Sequence, residues 1–150
     1  MVSQRKPEET LVDIILAPDV YVNASVAPGS DPDRVVQRVL GKHRGESKAT
    51  EWVLARVAAM LAAVPSFKQE AIKPQIDLIR SFVKVVPGAE KLGPDAWKDA
   101  LVASAKAAGV TRVVTDHPDL LRLESASGVE FLASDAWLLE VTLPPPVPGS

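Results

Sequence analysis

Apolar positions along this chain fall into two rhythms, short continuous runs and recurrences at helical spacing, and the alternation between them predicts its elements. Residues 11–16 (LVDIIL) form a compact run rich in Leu, Ile and Val, which predicts a buried strand ended by Pro18. Residues 19–26 predict a short helix or turn at that strand's carboxyl edge, followed by the loop Ala27-Pro28-Gly29-Ser30. Ser30 or Asp31 can cap a helix with Pro32 in its first turn, with Val35, Val36, Val39 and Leu40 on one face and Gly41 at its end. Residues 41–49 (GKHRGESKA) are polar and read as an exposed stretch. Thr50 can cap a helix over 51–63, where Val53, Leu54, Val57, Met60 and Leu61 recur at helical spacing. A further helix over 67–85 carries Ile72, Ile76, Ile79 and Val83, with Pro74 marking a break; residues 83–86 read alternatively as a short strand.

The second half is more sharply punctuated. Gly93-Pro94-Asp95 opens a helix over 94–108, with Trp97, Leu101, Val102 and Ala105 on its apolar side and Gly109 past its end. Residues 112–115 and 129–132 predict strands, with a short helix over 118–123 between them. Ser134 can cap a terminal helix through residue 139. Strands alternating with helices predict a single α/β domain over 11–140, with a central, mainly parallel sheet and helices on both faces. Residues 1–10 read as a flexible N-terminus and 141–150 as a proline-rich tail.

Composition narrows the classes. Folding a chain of 150 residues buries enough surface for one real core. Hydrophobic residues at 47% and charged residues at 24% are ordinary for a globular domain and argue against disorder. A net charge of -2 supplies no global basic field for nucleic acid. The absence of Cys excludes disulfides and thiolate metal sites. No signal core and no membrane-length apolar run occur, so the expectation is a cytoplasmic protein with no membrane partner. There is no Gly-rich phosphate loop and no Gly-x-Ser-x-Gly elbow.

Three segments carry a resemblance: IILAPDVYVNASV (14–26), KDALVASAKAAGVTRVVTDHPDLL (98–121) and GVEFLASDAWLL (128–139). In their order they resemble the PIN-domain (PilT N-terminus-like) nuclease superfamily, whose members gather carboxylates from distant segments around Mg²⁺ or Mn²⁺. The resemblance covers most of residues 11–140 and implies a PIN-like fold. It assigns the late-helix acid to Asp99 and the acid after the following strand to Asp119, with Asp116 one step off register beside His117. At the first strand the family's Asp-Thr-Asn-Val corresponds to Ala17-Pro18-Asp19-Val20, so the expected acid is Ala17 and Asp19 falls where Asn is common. In the middle helix Arg56 stands where the family has Glu, and the polar 41–49 stretch replaces what is usually a second strand.

These departures bear on chemistry. A hard divalent cation needs several converging oxygen ligands, and clustered acids repel one another until it binds. Ala17 supplies no ligand, and Arg56 brings a fixed positive charge that predicts an ion pair with Asp99 or Asp119. The candidate metal and catalytic set is therefore Asp19, Asp99, Asp116 and Asp119, with Mg²⁺ or Mn²⁺ as cofactor. Each has a plainer reading: Asp99 as a first-turn acid favoured by the helix dipole, Asp116, Asp119 and Asp19 as helix caps, His117 as an exposed turn residue. Arg38, Lys42, Arg44 and Lys48, beside His43, form the only local basic cluster; they are candidate RNA-phosphate contacts or a solvated face. Trp52, Trp97 and Trp137 read as core or interface anchors. Three functions are open: a PIN-like nucleic-acid- or protein-binding module with a degraded metal site, an active endoribonuclease of the toxin type, or an unrelated small α/β interaction protein. The resemblance further implies RNA, an antitoxin or another protein, or a second copy as partners. The Ala-rich helices at 51–63 and 97–108 could supply a dimer seam or serve as core.

Overall fold

Three-residue strands cannot stand alone, so the sheet is built from parallel neighbours whose helices cover it. The computed structural model describes residues 13–41, 47–87 and 96–142. The elements run β1 (Ile14–Leu16), α1 (Pro18–Val26), α2 (Asp31–Gly41), β2 (Ser47–Thr50), α3 (Glu51–Ala62), a 3₁₀ turn (Gln69–Ala71) and α4 (Ile72–Phe82). They continue as β3 (Lys84–Val86), α5 (Trp97–Ala107), β4 (Arg112–Val114), α6 (Pro118–Leu123), β5 (Ser125–Ala126), β6 (Val129–Leu132) and α7 (Ser134–Thr142). The sheet order is β3-β2-β1-β4-β6-β5, parallel throughout except for the β5–β6 hairpin. This is the expected α/β class with a mainly parallel sheet.

The chain steps from β1 outward to β2 and β3, then returns across the sheet to β4 and continues outward to β6. Right-handed crossovers therefore lay α1 to α4 on one face and α5 on the other. The direction reverses between β1 and β4, which leaves a crevice at their carboxyl ends. Ile15, Leu16, Val113 and Val114 are buried at the sheet's centre, and Val20, Val35, Val53, Val57, Leu61 and Leu101 cover it from the helices. The apolar sides of α3 and α5 thus belong to the core, which accounts for their Ala-rich stripes without a dimer seam.

Several boundaries differ from expectation, each for a local reason. The polar stretch 41–49 hides a strand: β2 pairs with β1 through Ile14 opposite Ser47 and Ile15 opposite Lys48. Ser47, Ala49 and Thr50 are buried despite their small or polar side chains. The Thr50 hydroxyl accepts from the Val53 amide at 3.2 Å, as its capping role predicted, and shares a 2.8 Å hydrogen bond with Ser104 of α5. The Lys48 ammonium donates to the Ala108 carbonyl at 3.0 Å and pairs with Asp13 at 3.0 Å. The helix expected over 67–85 is shorter: Pro74 lies in the first turn of α4, where its missing N–H costs nothing, and 84–86 form β3. α7 extends through Thr142 and so includes the first residues assigned to the tail. The N-terminal stretch 1–10, the tail after residue 142, and His43, Lys42 and Arg44 lie outside the described residues.

Candidate functional site

The carboxyl ends of β1 and β4 lie side by side, the Ala17 amide donating to the Val114 carbonyl at 2.9 Å. Each strand delivers its next residues to the crevice: Ala17, Pro18 and Asp19 from β1, Thr115, Asp116 and His117 from β4. Pro18 opens α1 at its first position, which places Asp19 in the first turn. The Asp19 carboxylate then accepts from the Thr115 hydroxyl at 2.8 Å and from the Asp116 amide at 2.9 Å. Burial raises its pKa above the ordinary value, against the lowering effect of the Asp116 amide and the Thr115 hydroxyl. Asp19 is thus a clamp between two strand ends, a role that neither a helix cap nor a ligand reading anticipated.

Asp116 reaches the other way. Its two oxygens accept from the Ser134 amide at 2.9 Å and the Ser134 hydroxyl at 2.6 Å. It anchors the start of α7 rather than its own helix, which corrects the reading of it as an α6 cap. The cap of α6 is His117, whose Nδ1 accepts from the Asp119 amide at 3.1 Å. His117 is half-buried, its ring centroid 4.7 Å from that of Trp97, and so is not the exposed turn residue expected.

The other two acids are held apart from this clamp. Asp119 pairs with Lys98 and Arg122, each at 3.5 Å. Asp99 is exposed in the first turn of α5, the plainer reading of that residue, and α5 offers Lys98 rather than Asp99 to Asp119. Arg56 pairs with neither Asp99 nor Asp119, so the predicted ion pair is absent. Among the described residues no three acids or histidines gather as a metal-binding group. As placed, with the Asp19 and Asp116 oxygens bound to internal donors and Asp119 to two cations, this donor set does not fit a divalent cation.

A different constellation occupies the crevice. Ala17, Pro18, Asp19, Trp52, Arg56, Met60, Trp97, Leu101 and His117 line a cavity of about 70 Å³. Trp52, Arg56 and Met60 stand at i, i+4 and i+8, one stripe of α3; Trp97 and Leu101 are an i, i+4 pair of α5. Both positions that the resemblance makes anomalous, Ala17 and Arg56, face the same cavity. The sequence reading missed its aromatic wall. Trp52 reaches the crevice because β2 ends at Thr50, and a strand there was not expected.

The basic cluster does not join this site. Lys48 contacts Asp13 and Ala108, which precede β1 and β4, so it lies at the opposite, amino edge of the sheet. The Arg38 guanidinium donates to the Val141 carbonyl of α7 at 2.8 Å. Both are engaged internally, the solvated-face alternative in altered form. No helix of the described residues is long and apolar enough to cross a membrane.

No protein-family model and no curated protein matches the sequence. Among solved structures the chain is similar to the protein PAE2754 of Pyrobaculum aerophilum, at 17% identity, over 87% of this chain and 89% of that one, with a TM-score of 0.54. At that identity the likeness is one of fold, a whole α/β domain matched to a whole α/β domain.

Proposed function

We propose that the chain is a PIN-like domain with a degraded metal site, a nucleic-acid- or protein-binding module without strong nuclease activity. The observation that carries this reading is the replacement at the crevice: Ala17 and Arg56 line a cavity with Trp52, Trp97 and His117 instead of a ring of carboxylates. An arginine beside aromatic faces is suited to binding and gives no activated water. Of the two partner classes, single-stranded nucleic acid is favoured by the tryptophans, since every base offers a face for stacking. Cytoplasmic residence fits an RNA partner and belongs to the same proposal.

An active Mg²⁺- or Mn²⁺-dependent endoribonuclease, of the toxin type that pairs with an antitoxin, is the second reading. What favours it is that Asp19, Asp116 and Asp119 all come from the strand ends at one crevice, and that each clamped carboxylate oxygen retains a second lone pair. It requires the clamp to open and Asp119 to leave Lys98 and Arg122. Fluorescence anisotropy with a labelled single-stranded oligoribonucleotide, with excess EDTA or excess Mn²⁺, separates the two. The proposal expects equal binding in both and an intact strand on a denaturing gel. Cleavage in Mn²⁺ that EDTA abolishes would favour the nuclease, and no binding in either condition would turn the search to protein partners.

A further inference from the structure

The cavity at the carboxyl edge combines features that call for one kind of occupant. Arg56 projects from α3 into a largely apolar lining and makes no hydrogen bond or ion pair with any described residue. A half-buried guanidinium without a counter-charge is costly, and its planar fork matches the oxygens of a phosphate two at a time. Trp97 offers a flat face in the same cavity, held by His117 on one side and with the Lys98 ammonium 5.6 Å from its ring centroid. Asp19 marks the opposite chemistry: its oxygens already accept from Thr115 and Asp116, yet each keeps a lone pair for a further donor such as a ring amine. A volume of about 70 Å³ holds roughly five to seven waters, the scale of one small ring rather than of a stacked pair.

We propose that this cavity binds a single pyrimidine nucleotide unit, its base against Trp97 with the ring amine toward Asp19 and its phosphate on Arg56, with no divalent cation required. The inference deepens the nucleic-acid reading above by naming what the site holds. The unit is either a free mononucleotide or the phosphorylated end of a strand. In both cases Arg56 does for the phosphate what a metal does in a carboxylate site, neutralising charge, but it activates no water.

The test is tryptophan fluorescence with EDTA present, titrating cytidine 5′-monophosphate against the full-length protein, with cytidine alone and inorganic phosphate alone as controls. Two of the three tryptophans line the cavity, so occupancy should quench. The expected result is saturable quenching by the nucleotide, weaker by about tenfold or more for cytidine, for phosphate and for Arg56→Met, the scale of one charge-assisted contact. Arg56→Met keeps the apolar stem, and an unchanged melting temperature certifies the fold; Trp97→Phe provides a second variant, expected to bind with reduced quenching. Equal affinity of wild type and Arg56→Met, or no response to the nucleotide, overturns the inference. A 5′-phosphorylated oligoribonucleotide in the same assay distinguishes the sources. If the strand binds but Arg56→Met does not weaken it, the cavity inference fails while the nucleic-acid reading stands. If the mononucleotide binds and the strand does not, the cavity is a small-molecule site and the nucleic-acid reading fails.

Discussion

At the scale of single residues, the acids are the point of interest because their neighbours, not their spacing, decide what they do. Asp19 is held by the Thr115 hydroxyl and the Asp116 amide. Asp19→Asn can keep both contacts, its carbonyl accepting from the amide and its NH₂ donating to the hydroxyl, so the substitution should cost little in urea denaturation. Asp19→Ala leaves a buried N–H without a partner and should cost about 1–3 kcal/mol. The pH dependence has a definite sign. Because burial raises the Asp19 pKa above its ordinary 3.8, the folded state holds the proton more tightly than the unfolded chain. Its contribution is fully present below the unfolded pKa and falls as pH rises through the raised value. Relative to Asp19→Asn, the wild type should therefore lose stability across that acidic window and run parallel above it. A difference between the two proteins that does not change with pH would contradict the burial of this carboxylate. Nothing in the segment Pro18-Asp19-Val20 could reveal the clamp, since its donors lie 96 and 97 positions away.

The helices and strands divide by how much of each is set locally. α6 was legible because Pro118 starts it, and α3 because Thr50 caps an apolar stripe. β2 was not, because Ser47-Lys48-Ala49-Thr50 has the composition of a loop and becomes a strand only through pairing with both β1 and β3. Its hydroxyls and ammonium are tolerated where specific partners satisfy them, as with Ser104 for Thr50 and Ala108 for Lys48. Thr50→Val should thus destabilise by about 1–2 kcal/mol despite its similar shape, by removing a helix cap and a buried hydroxyl pair. Val57 is fully buried on the same helix, and Leu61 beside it should cost about 2–5 kcal/mol as Leu61→Ala, measured by the same denaturation. A larger loss at Thr50 than at Leu61 would invert this order of what holds α3 in place. The late boundary of α7 has a similar origin: the Arg38 guanidinium of α2 holds the Val141 carbonyl, a contact that no reading of the terminal segment alone contains.

For the molecule as a whole, the strand–helix alternation was enough to predict a mainly parallel α/β domain, and the sheet order then locates its crevice. The reversal between β1 and β4 gathers three chain segments that are far apart in sequence, and the stripe Trp52, Arg56 and Met60 closes over them. The resemblance drew attention to Ala17 and Arg56 as departures from a carboxylate pattern. That both line one aromatic cavity could not be read from the sequence, because it depends on β2 existing and on α5 crossing to meet α3. The central claim is that this edge binds without a metal. Calorimetric titration with Mn²⁺ tests it most directly, comparing the wild type with a double mutant carrying Asp99→Asn and Asp119→Asn. An edge that works without a metal predicts the same small, unsaturable heats from both proteins. Saturable binding by the wild type that disappears in the double mutant would contradict the claim, and would mean that the clamped acids rearrange into a working metal site.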